Sequence, residues 1–246
     1  RHKYLHSLEQ TVYPYVLKDE IEFDEKYVPF SHKGTKISSV PGKKRGEPAS
    51  KRGLSDEQVC LLSGVERLGK SILNALNLAK PSSQDILKMK DHIQNHSFIW
   101  TDGLSSYNEL IEEKQCDHKI VKTKDDYDRV NHLNNVNSFH QKIEAQYKRY
   151  KGVASKYINR YAALFTMQRE CRDMDSMETL IYIKRKLKKT KCYFYIRQLT
   201  TLDIFTAYRK DLHKRAKVNK LQVKPTFLYL LFLELHVVKN QKNLGS

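Results

Sequence analysis

Cysteine is scarce: four residues in 246, and no two of them form a CxxC pair. The scatter of Cys60, Cys116, Cys171 and Cys192 excludes a zinc ribbon and a disulfide framework, and it leaves buried free thiols in a reducing compartment. Long hydrophobic runs are missing too. The longest, "FLYLLFLELHVV" at 227–238, is shorter than the roughly 20 residues a bilayer-spanning helix needs, and it contains Glu234. It reads as a buried or partner-facing helix. Acidic residues are the third shortage, with 28 Asp and Glu against 45 Lys and Arg, for a formal net charge of +17. A surplus of that size implies a polyanionic partner, nucleic acid before an anionic membrane. The chain opens at Arg1 inside a helix-like pattern, "RHKYLHSLEQ", so we expect a preceding segment.

What is present is a globular pattern. Residues 20–30, "EIEFDEKYVPF", alternate apolar and polar β-formers and read as a strand centred on Phe23. The stretch 31–55 carries seven Lys and Arg against one Glu among Gly, Pro and Ser, and reads as a basic loop. Residues 58–65 and 71–78 read as two more strands joined by "ERLGK". "PSSQDILKMKDHIQNH" has a serine cap and helical spacing at Ile86, Met89 and Ile93. "SFIWTDG" is an apolar strand ending in a glycine turn, followed by a helix at "LSSYNELIEEKQ" and a short strand at "HKIVKT". Helices are expected over 134–150 and over "SKYINRYAALFTMQREC", the latter with Tyr157, Tyr161, Leu164 and Phe165 on one face. Beyond about residue 176 the chain reads as a basic helical tail. Three strands followed by strands alternating with helices give an α/β fold, a mixed sheet flanked by helices in the order of the ribonuclease H-like fold.

Two aspartates stand out. Asp24 lies inside the first strand, and Asp102 follows "FIW" at the carboxyl end of the fourth. In a ribonuclease H-like sheet these strands are neighbours, so the carboxylates converge at one rim. Converging carboxylates are what two Mg²⁺ ions about 4 Å apart require for in-line displacement at phosphorus. Asp102 also suits a turn or helix cap before "GLSS", and Asp24 suits an exposed strand position beside Glu25. A third oxygen ligand is expected on the helix at 134–150. It opens with "NNVNSFHQK", and Asn134 or Asn135 suits its N-cap.

The segments "IEFDEKYVPFSHKG", "KRGLSDEQVCLL", "WTDGLSSY" and "HLNNVNSFHQKIEAQYKRYKGVASKYINRYAALF" resemble the core of a bacterial insertion-sequence transposase of the ISXO-type branch, related to the Merlin elements. The resemblance spans roughly residues 1–170. It implies a DDE-type site in which asparagine stands third, here Asp24, Asp102 and Asn137, with 35 positions from Asp102 to Asn137. It also implies two Mg²⁺ ions, with Mn²⁺ as a substitute. An amide oxygen brings no charge, so the metal affinity should fall unless Glu25, Asp126 or Asp128 helps. Glu144 is two turns beyond Asn137, roughly 10 Å of rise, too far to stand in. Lys142 matches a family lysine; it either holds a phosphate near the scissile bond or is an ordinary helix-surface residue. His132 matches a family position near DNA or the metal shell, His140 reads as a packed histidine, and Trp100 as core.

Further expectations concern organisation and partners. Residues 1–18 resemble the end of a helix-turn-helix segment, 19–170 the catalytic domain, and 171–246 a basic helical extension. Lys33, Lys36, Lys43, Lys44, Arg45, Lys51 and Arg52 of the basic loop suit phosphate contacts. The reading is a transposase that cuts element ends and joins them to target DNA, dimeric on DNA, cytoplasmic and nucleoid-associated. Two rivals are a DNA-binding protein with decayed or domesticated chemistry and a ribonuclease H-like nuclease without strand transfer.

Overall fold

The computed structural model describes residues 1–31, 33, 53–55, 57–122, 126 and 128–190, together with the backbone pairing of 194–195 and 220–221. Its frame is a five-stranded sheet in the order β3-β2-β1-β4-β5. The strands are β1 (Glu20–Pro29), β2 (Gln58–Glu66), β3 (Ser71–Leu78), β4 (Phe98–Thr101) and β5 (Asp117–Ile120). β2 runs antiparallel to both β1 and β3, and β4 and β5 run parallel to β1. This mixed sheet flanked by helices is consistent with the ribonuclease H-like order expected from the sequence.

β1 sits in the middle, and its alternation sorts two sets of side chains. Ile21 and Phe23 are fully buried on one face, while Glu22, Asp24 and Lys26 share the other. β2 is buried along nearly its whole length, as a strand covered on both faces must be. Its Gly64 pairs with Phe23, and a Cβ there would come within 2.7 Å of the Phe23 ring and 2.8 Å of Leu17. Only glycine lets the strand lie that close.

Among the described residues there are six α-helices around the sheet: α1 (His2–Val12), α2 (Ser83–Leu87), α3 (Asn108–Glu113), α4 (Asn134–Arg149), α5 (Ile158–Glu170) and α6 (Ser176–Thr190). α2 is shorter than its apolar spacing predicts. Ile86, Met89 and Ile93 are all buried as expected, but the chain tightens to a 3₁₀ turn at Lys90–His92, and Ile93 is extended to bridge Leu17. α5 is buried on every side rather than along one face, because α1, β3, the Tyr147 ring of α4 and the Tyr150 ring just past it enclose it. α6 docks through its buried Ile183, a Thr11–Thr190 hydroxyl contact at 2.9 Å and one carboxylate. Glu170 accepts hydrogen bonds from the Tyr15 and Tyr182 hydroxyls, and Lys186 Nζ lies 3.2 Å from it. Short strands β6 (Phe194–Tyr195) and β7 (Lys220–Leu221) pair with each other. The apolar run at 227–238 and most of the basic loop lie outside the described residues. No helix among the described residues is long and apolar enough to cross a membrane. Cys60 and Cys171 are buried, and Cys116 is half-buried.

Candidate active site

The pairing of β1 with β4 brings the two aspartates together. Glu20 faces Phe98, Ile21 faces Ile99 and Glu22 faces Trp100. The same offset carries Asp24 to Asp102, just past the end of β4. One carboxylate oxygen each of Asp24, Glu25 and Asp102 lie within 4.8 Å of one another. Asp102 is also a turn residue. Its Oδ1 accepts the Leu104 N–H at 3.1 Å, and Gly103 adopts φ 86° where a Cβ would meet Lys122 Cε at 2.4 Å. The turn role suggested by the sequence is thus filled by the same residue that joins the three-carboxylate group.

Glu25 projects to the opposite face from Asp24, where the Tyr107 hydroxyl donates to it. Burial pushes its carboxyl up to about 7, and the charges of Asp102 and Asp24 add to the rise against the Tyr107 hydrogen bond. The Tyr107 phenol is itself driven well above its ordinary value by burial and then by the Glu25 charge. Three anionic oxygens this close repel one another, and an all-oxygen set of this kind suits a hard divalent cation such as Mg²⁺ or Mn²⁺.

α4 runs along β1 in step with the Glu22, Asp24, Lys26 face. Glu22 receives the Asn135 and Val136 backbone N–H groups at 2.9 and 3.0 Å and the Asn135 side-chain amide at 2.8 Å. Two residues on, Asp24 Oδ2 lies 3.4 Å from His140 Nδ1, and after two more Lys26 Nζ lies 3.1 Å from Glu144. Two strand residues advance about 6.6 Å and one helical turn 5.4 Å, so the two elements keep register. The N-cap expectation is corrected here. No Asn134 or Asn135 side chain caps α4; a carboxylate from β1 does it in their place, and the cap position is Leu133.

Asn137 is exposed and lies one turn before His140 on the same stripe of α4, which also carries Glu144. Lys142, also exposed, is five positions on from Asn137, about 140° around the helix. His132 faces Glu22, with Nδ1 at 3.3 Å, and not the three-carboxylate cluster. Lys33 reaches the carbonyls of Lys151 and Gly152 at 3.5 and 3.3 Å, just past the end of α4. Lys36, Lys43, Lys44, Arg45, Lys51 and Arg52 lie outside the described residues. Asp128 bonds the backbone N–H groups of Val130 and Asn131, and Asp126 the N–H of Lys122.

Reading the sequence did not single out Glu22, and it set His140 aside as a packed residue. His140 is indeed buried, but between Asp24 and the Ser63 hydroxyl, which its Nε2 meets at 2.8 Å. Spacing carried a signal for His140, three residues after Asn137. Glu22 carried none, because alternation alone makes it an ordinary polar strand position.

Among curated proteins, none matches the chain. Residues 16–169, from the segment leading into β1 to the end of α5, match the ISXO2-like transposase domain. The match spans more than half of the chain and takes in β1, β4 and α4 with all the residues above, and by it the chain belongs to the ISXO2-like transposase domain family of insertion-sequence transposases.

Proposed function

We propose that this transposase cuts DNA at the ends of its element and joins them to target DNA, in a metal-dependent site formed by Asp24, Asp102 and Asn137 with Glu25 as a fourth oxygen donor. The observation that carries the proposal is the meeting of three carboxylate oxygens within 4.8 Å, two from the middle of β1 and one just past the end of β4. Divalent ions held there supply Lewis-acid activation of the attacking oxygen and neutralise charge on the leaving one. The protein's own residues do the holding. Asp24 and Asp102 supply anionic oxygens, and Glu25 supplies the charge that the Asn137 amide lacks. His140 fixes the Asp24 carboxylate from the α4 side, with Ser63 holding its other ring nitrogen. Cleavage by water and attack by the freed 3′-hydroxyl are both in-line displacements at phosphorus, so one site serves both. The basic loop and Lys142 bind phosphates, and joining two ends calls for two copies of the chain.

The test is cleavage and joining on DNA carrying the element's ends, with Mg²⁺ or Mn²⁺. Wild type is expected to join ends to target, and Asp102→Ala to lose both steps. Cleavage without joining would favour a ribonuclease H-like nuclease. The uncharged Asn137 favours one other reading, a DNA-binding protein whose chemistry has decayed. An inert wild type that Asn137→Glu awakens would establish that reading.

A further inference from the structure

Glu22 is fully buried, and its two oxygens collect five nitrogens. Three belong to the first turn of α4: the N–H groups of Asn135 and Val136 and the Asn135 side-chain amide. The fourth is Arg67 Nε at 3.1 Å, and the fifth His132 Nδ1 at 3.3 Å. Arg67 is held in turn. It bonds Glu20 at 2.7 Å and the His132 carbonyl at 3.1 Å, and its guanidinium stacks 4.3 Å above the Trp100 ring.

Burying a carboxylate is costly, and a helix opening with two asparagines had a cheaper cap at hand in its own side chains. Here the cap comes instead from the strand that carries Asp24, two residues earlier and on the same face. Trp100 stands in the same relation to Asp102 on β4, two residues before it. The start of α4 is therefore tied to both carboxylate-bearing strands at once. Asn137 follows Val136 directly, so whatever fixes the first turn fixes where its amide points.

We propose that Glu22, braced by Arg67, is a positioning residue that sets the axial register of α4 and so delivers Asn137 to the oxygens of Asp24 and Asp102. The proposal rests on the metal-site reading above. It assigns Glu22 no contact with DNA or metal; the residue acts through Asn137.

The experiment is Mn²⁺ titration calorimetry, paired with hydrogen–deuterium exchange at the Asn135 and Val136 amides, on the whole chain. Proteins compared are wild type, Glu22→Gln, Asn137→Ala, the double variant and Asp102→Ala. Glu22→Gln is expected to speed exchange at the two amides and to weaken Mn²⁺ binding about tenfold, the lower end of what loss of a ligand-orienting partner does. Asn137→Ala should weaken binding by a similar factor. The double variant should be no weaker than either single one, because Glu22 acts only through Asn137. Multiplying losses, or wild-type affinity in Glu22→Gln, overturns the proposal and leaves the metal site standing. Unchanged affinity in Asp102→Ala overturns both. If Glu22→Gln does not fold, Asn135→Ala takes its place, since it removes one of the five nitrogens from the helix side. It is expected to give a smaller loss, again absent when Asn137 is already alanine; a loss that persists in that background overturns the proposal.

Discussion

Among the residues of the site, Glu25 has its charge most tightly controlled by the fold. Its carboxyl rises from the ordinary 4.5 to about 7, through burial first and the neighbouring aspartates second. An acid whose folded value exceeds its unfolded one binds more protons folded than unfolded, so its contribution to stability is fullest below about 4.5. That contribution declines as pH rises from about 4.5 to about 7, and it stays lost above. Glu25→Gln removes the penalty while keeping an acceptor for Tyr107. In metal-free buffer the variant is therefore expected to be more stable than wild type at pH 8, by at most about 3 kcal/mol, with the gap closing below pH 5. Urea unfolding across that range checks it, and a gap that does not change with pH would refute the assigned cause. With Mn²⁺ added at pH 8, wild type should gain more stability than the variant, since a cation relieves the repulsion of three carboxylates in wild type and of two in the variant.

The elements of the site are β1 and α4, and their register shows which contacts matter. Lys26, Glu144 and Lys148 form a chain of ion pairs at the outer end, where Glu144 is about half exposed. His140 sits at the inner end, buried between Asp24 and Ser63. Exposed pairs contribute little, so Glu144→Ala is expected to cost under about 1 kcal/mol in urea unfolding. His140→Ala strips partners from two inward-facing oxygens and is expected to cost about 1–3 kcal/mol. Equal costs would contradict this ordering. The same two elements mark how far the sequence could be read. Alternation located β1, and apolar spacing with β-formers located β2 and β3, because those signals are local. Asp24 and Asp102 were legible because an acid inside a strand, or just past the end of an apolar one, is conspicuous. The trans cap was not legible, since it joins Glu22 to residues 113 and 114 positions away. The shortening of α2 had the same cause, a tertiary bridge from Ile93 back to Leu17 that no helical spacing announces.

At the scale of the whole molecule, the net charge of +17 is distributed so that the rim carrying Asp24, Glu25 and Asp102 remains acidic. The three carboxylates gather where mid-β1 meets the end of β4, while cations lie on the last turns of α4, along α6 and in the loop between β1 and β2. That loop leaves β1 five residues after Asp24, so the chain carries its basic segment straight from the acidic rim. If those cations neutralise phosphates, binding releases counterions, and affinity falls linearly with salt on a log–log scale by about 0.9 per phosphate contact. Replacing Lys43, Lys44 and Arg45 by alanine is expected to make the slope shallower by roughly 3. The loss of affinity should be the same on unrelated DNA sequences, because phosphate contacts carry no base information. Fluorescence anisotropy from 50 to 300 mM salt measures both quantities. An unchanged slope would mean the loop does not track the backbone and the excess charge acts through α4 and α6. A sequence-dependent loss would instead make the loop a reader of bases, a role its lysines are not expected to fill.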